Sequence, residues 1–144
     1  MTELLNLEPV SRAQVLKLEE QIMKMEQLEL PVVHHFSKGV YARELHIPAG
    51  TTLTGKIHKF ENLNILSQGE MSVSTEEGVV RVKAPFTIIS PPGTKRVAYA
   101  HTDCIWTTVH GTESKDVDAI ELEFVVNSEQ EYLEHCKILA IKGD

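Results

Sequence analysis

Long apolar runs, a basic excess, paired cysteines and internal repeats are all missing from this 144-residue chain. Each absence removes a class of protein. No stretch approaches the ~20 apolar residues of a membrane span, and the N-terminus lacks the basic-then-apolar pattern of a secretory leader. A cytoplasmic location with no membrane partner is therefore expected. The two cysteines, Cys104 and Cys136, have no metal-ligand or redox spacing and are read as free thiols. With a formal net charge of −7, the chain lacks the basic surface that general nucleic-acid binding uses to displace counterions from phosphates. Net charge says nothing about a cavity's interior, so a local cationic pocket stays open.

What is present reads as one domain over residues 1–144, long enough to bury a core without staples. Residues 11–30 form an N-terminal amphipathic segment. Ser11 is the expected N-cap with Gln14 completing a capping box, Val15, Leu18, Ile22 and Met25 recur at helical spacing, Lys17, Glu20, Lys24 and Gln27 lie between them, and Pro31 stops the helix. That stripe is expected to pack on the rest of the protein or on a second subunit. Residues 32–111 change to short β-type runs: Val40–Ile47, Ile57–Leu66, Glu70–Thr75, Val79–Lys83, Phe86–Ile89, Arg96–Ala100 and Ile105–His110. Turn signals separate them, so a sandwich or barrel is expected. His34-His35 reads as a loop pair whose rings point opposite ways. Residues 115–144 form a helical tail, with helices over 116–124 and 128–140; His135 is given no role.

The stretch Gly50, Lys56, His58, Asn62, Gly69 reproduces the spacing of a G-x5-H-x-H-x3-E-x6-G motif. Pro85, Pro91, Gly93, Arg96 and Ala100 match a G-x5-P-x-G-x2-H-x3-N pattern more loosely. On these residues the chain, over roughly 40–110, resembles the cupin superfamily. Around Lys56-Ile57-His58-Lys59 and the Ser90-to-Arg96 turn it looks like small cupin-like proteins encoded by bacteriophages. The resemblance implies an all-β core, a jelly-roll barrel of the double-stranded β-helix type, with the terminal helices outside it. It does not choose a function, because cupins host many chemistries and non-catalytic binders.

In cupins with complete motifs, four side chains bind a divalent metal, and the corresponding positions here are Lys56, His58, Asn62 and Arg96. One of the four is a histidine. Charged lysine and arginine cannot coordinate, and each raises the cost of a cation nearby. No cofactor is favoured on this register. A metal would need other ligands, such as His58 with Glu61, His110 or His101, and Glu61 has the wrong strand parity unless the strand is bulged.

The replacements point instead to a cationic pocket. Lys56, His58 and Arg96 would converge with Asn62 and Asn64 beside them, a set suited to phosphate or carboxylate. Lys56 and Arg96 could equally pair with internal Glu44 or Glu61. On the first clear strand either Tyr41 and Arg43 or Glu44 and His46 face inward, and the sequence leaves that choice open. Trp106 shares parity with Thr108 and His110 and is a stacking or packing residue. Cys104 lacks a local base and is not read as a nucleophile.

The expectation is therefore a barrel that binds a small anionic molecule: a nucleotide, sugar phosphate or carboxylate. In a phage-encoded chain this would serve sequestration of a host metabolite or nucleotide signal, in the host cytoplasm. The alternatives are a metal-dependent cupin enzyme with an atypical ligand set and a structural protein with a filled barrel. Catalysis is not favoured, and a homodimer is expected.

Overall fold

The computed structural model describes residues 3–4, 11–25 and 29–141. Two five-stranded antiparallel sheets dominate it. One runs in the order β2 (Val32–Ser37), β3 (Val40–Ile47), β11 (Cys104–Gly111), β6 (Asn62–Gln68), β9 (Phe86–Ser90). The other runs β1 (Glu3–Leu4), β8 (Gly78–Lys83), β7 (Glu70–Thr75), β10 (Val97–Ala100), β4 (Thr52–Thr54). A small pair joins β5 (Ile57–His58) to β12 (Val125–Val126).

The topology identifies the fold. Setting aside β1, β2, β5 and β12, eight strands remain, and they pair in nested order. The first joins the eighth (β3 with β11), the second the seventh (β4 with β10), the third the sixth (β6 with β9), and the fourth the fifth (β7 with β8). Nested antiparallel pairing across two facing sheets is a jelly roll. This is the architecture that the cupin resemblance implies.

Alternation along the strands explains why the sheets face each other. Met71 and Val73 on β7, Val80 and Val82 on β8 and Leu66 on β6 are buried, and with Ile47, Ala100 and Cys104 they form the core at one end of the barrel. Gly69 carries the chain from β6 to β7 with φ +93°, and a Cβ there would strike the Asp103 carbonyl and the Cys104 sulfur. Only glycine suits both demands.

Three strand assignments differ from the sequence reading. The run Ile57–Leu66 is not one strand: it breaks into β5 and β6 around a bend at Lys59–Glu61, and Thr52–Thr54 forms a strand of its own. His34 and His35 lie on β2 rather than in a loop, and they do point opposite ways. His34 Nδ1 hydrogen-bonds the Tyr41 hydroxyl at 2.6 Å, whereas His35 Nε2 lies 3.0 Å from Glu44.

Helix α1 (Arg12–Met23) has the expected capping box between Ser11 and Gln14. Its barrel-facing side is not the expected stripe. Val15 is buried, but Leu18 and Met25 are exposed, and Gln27 lies outside the described residues. Polar residues take the anchoring positions instead. Arg12 pairs with Glu129 at 3.0 Å, and Glu19 accepts from Thr54 and from the nearly buried Lys95. Helix α2 (Val117–Phe124) is capped by Asp116, whose carboxylate accepts from the Asp118 and Ala119 amides. It buries Ile120 and Phe124 against Tyr41. Helix α3 (Glu129–Ile141) follows β12. No described helix is long and apolar enough to cross a membrane.

Candidate functional site

The two sheets enclose a cavity of about 450 Å³ that α2 closes at one side. This lies toward the small end of small-molecule pockets, roughly 300–1,000 Å³. Strand register sorts its walls into layers. On β3 the inward residues are Tyr41, Arg43, Leu45 and Ile47, which settles the question the sequence left open. Glu44 faces out, between His35 and His46. Across the ladder, Leu45 stands opposite Trp106, which stands opposite Leu66. One step along, Arg43 stands opposite Thr108, which stands opposite Asn64, and after that comes Tyr41 opposite His110. The interior therefore changes from apolar to polar within one register step. The facing sheet adds Leu53, Met71, Val73 and Ala98 to the apolar half.

All eight residues singled out for a ligand site line this cavity: Tyr41, Arg43, Lys56, His58, Asn62, Asn64, Arg96 and Trp106. Their states differ. Asn64 is buried and fully engaged: its amide donates to Asn62 at 2.9 Å and Ser90 at 2.7 Å, and its carbonyl accepts from Thr108 at 2.8 Å. Arg96 joins the same network. Its guanidinium donates to the Ser90 hydroxyl, to the Ser74 carbonyl at 2.7 Å and to Glu76 at 3.1 Å. The expected partners of the two basic residues were Glu44 or Glu61; the actual ones are Glu76 for Arg96 and Glu121 of α2 for Lys56. Glu121 was not foreseen, because its place depends on how α2 folds back over the barrel. Burial also lowers the Arg96 pKa, partly offset by Glu76.

Arg43 stands apart. Its guanidinium has no hydrogen bond or ion pair among the described residues, although it lines the cavity beside His58 and His110. Those two imidazoles stack with centroids 5.4 Å apart, and His110 stacks in turn on Phe124 at 4.7 Å. His58 Nδ1 is buried without a partner. Burial, then the neighbouring His110, Arg43 and Arg96, hold the His58 pKa down to about 4. Burial and then Arg43 depress His110 as well. Both rings are therefore neutral at pH 7. The Tyr41 ring is buried and its hydroxyl is spent on His34.

The residues do not fit the metal centre that the cupin resemblance implies. Lys56, Asn62 and Arg96 sit with His58 at the four motif positions, leaving one ligating nitrogen. The alternative set is not assembled either. Glu61 is exposed on the bend after β5 and does not line the cavity, and His101 bonds Ser72 at 2.7 Å against Tyr99. Among the described residues no three His, Cys, Asp or Glu side chains converge for a metal. Cys104 is a buried free thiol that hydrogen-bonds the Glu70 and Thr102 carbonyls, and burial pushes its pKa up. Cys136 is also free.

Fold and site together define a jelly-roll barrel with a half-polar, half-apolar interior. No family model and no curated protein matches the sequence. Among solved structures the chain is similar to a cupin superfamily protein from Desulfitobacterium hafniense, at 12% identity and TM-score 0.47 over 60% of this chain and 83% of that one. It is also similar to the Cnp3 cupin domain of Schizosaccharomyces pombe, at 16% identity and TM-score 0.49 over 63% and 72%. A third likeness is to an acetylacetone dioxygenase from Acinetobacter johnsonii, at 19% identity and TM-score 0.45 over 57% and 58%. At these scores the likenesses say nothing of the site, and the fold assignment rests on the strand pairing.

Proposed function

We propose that this protein is a small-molecule-binding barrel whose cavity holds an anionic ligand: a nucleotide, sugar phosphate or carboxylate. One observation carries the reading. Arg43 presents an unpaired guanidinium to a solvent-open cavity whose one lining carboxylate, Glu121, is already paired with Lys56. A guanidinium's planar fork matches a carboxylate or phosphate, and among the described residues no protein anion competes for it there. The neutral imidazoles of His58 and His110 stand beside it and demand no counter-charge of their own. For a phage-encoded chain, such a pocket would capture a host metabolite or nucleotide signal.

Native mass spectrometry of untagged protein purified without chelator tests this. An anionic adduct that disappears in Arg43→Gln supports it. One equivalent of transition metal in place of the adduct overturns it in favour of a metal-dependent enzyme.

A further inference from the structure

The cavity's polar groups divide sharply by whether they are already used. Three of its hydroxyls donate to the protein, Thr54 to Glu19, Thr94 to the Pro91 carbonyl and Thr108 to Asn64, and the Ser90 oxygen accepts from Asn64 and Arg96. Asn64 has no N–H to spare, and Asn62 gives one to the Phe60 carbonyl. The polar side chains lining it that make no hydrogen bond among the described residues are Arg43, the two stacked imidazoles and Trp106. These are mainly donors. The half of the cavity beyond Trp106 is built from Leu45, Leu53, Met71, Val73 and Ala98.

A sugar or nucleoside would set polar groups against that apolar half, where none of those side chains can pair with them, and each polar group buried without a partner weakens binding. A phosphate monoester brings two charges to a cavity with one unpaired guanidinium. A carboxylate with an apolar body meets neither difficulty. We infer that the ligand is an amphipathic monocarboxylate, its acid group on Arg43 beside the His58 and His110 rings and its apolar body lying against Trp106, Leu45 and Val73. This rests on the anion-binding reading above and narrows it. The neutral state of both imidazoles fits, since neither brings a second positive charge to the acid group.

The sole tryptophan lines the cavity, so its fluorescence reports occupancy directly. The probes are acetate, butanoate and hexanoate, with hexanol, glucose 6-phosphate and adenosine monophosphate as comparators. Affinity should rise roughly fourfold per methylene along the acid series. Arg43→Gln should weaken hexanoate by roughly ten- to a hundredfold while leaving hexanol unchanged. A flat acid series, or tighter binding of either phosphate compound than of hexanoate, overturns this inference and leaves the anion-binding reading standing. Hexanol binding as well as hexanoate, or binding of none of the probes, overturns both. Circular dichroism of Arg43→Gln confirms that the exposed substitution has left the fold intact.

Discussion

Arg43 and Arg96 both line one cavity, yet they live in opposite conditions. Arg96, on the wall between β9 and β10, is nearly buried and donates to Ser74, Ser90 and Glu76. Arg43, on β3, has no described partner at all. The same side chain is therefore structural on one wall and available on the other. The difference lies in what its neighbours have already bonded. A cationic residue in a pocket is no evidence of ligand binding until its hydrogen bonds have been counted.

The contrast extends to the two halves of the interior, and the largest expected effect lies in the apolar half. Leu66 is fully buried in the core cluster. Leu66→Ala should cost roughly 2–5 kcal/mol through lost transfer energy and a cavity that rigid sheets fill poorly. Urea denaturation measures it. A cost below about 1 kcal/mol would mean that this end of the barrel is loosely packed, and the two halves would differ less than described.

Acid acts next, and on the polar half. His58 titrates near 4 in the folded protein against about 6.5 when free, so between those values the unfolded chain binds a proton that the folded one refuses. Stability is therefore full above about pH 6.5 and falls as the pH drops toward 4, by a ceiling on the order of 3 kcal/mol. His110, depressed in the same direction, adds to the slope. Denaturation midpoints measured from pH 7 to 4 should flatten in His58→Asn; an unchanged slope would place the acid sensitivity elsewhere.

Arg96→Ala comes third. It strips a donor from Ser90, Ser74 and Glu76, and about 2 kcal/mol of stability should go with it. Stability equal to wild type would make Arg96 as free as Arg43 and erase the contrast.

Much of this was legible in the sequence. The motif spacing placed Lys56, His58, Asn62 and Arg96 on one cavity, but the route to that result was partly mistaken. His58 and Asn62 were assigned to one strand on parity, and they lie on β5 and β6 with a bend between. The bend also leaves Glu61 exposed without any bulge. Strand β11 was simpler, since Trp106, Thr108 and His110 keep period-2 alternation and all face inward. What could not be read was pairing at long range. Glu121, Glu76 and Ser90 reach the basic residues only because of how turns and α2 fold back. On α1 the apolar stripe held at Val15, which is buried, and misled at Leu18, which is exposed, while Arg12 pairs with Glu129 of α3 and Glu19 with Lys95.

The smallest expected change in stability, from Arg43→Ala, is also the one that speaks most directly to function. With no described partner and an exposed side chain, its loss should shift stability by no more than about 0.5 kcal/mol. The imidazoles should nevertheless feel it. Arg43 is one of the positive charges holding His58 low, so removing it makes the ring easier to protonate and raises its pKa above about 4. Histidine NMR titration of wild type and Arg43→Ala reads that rise directly. A His58 resonance that titrates identically in both would place the guanidinium too far from the imidazoles to share a ligand with them.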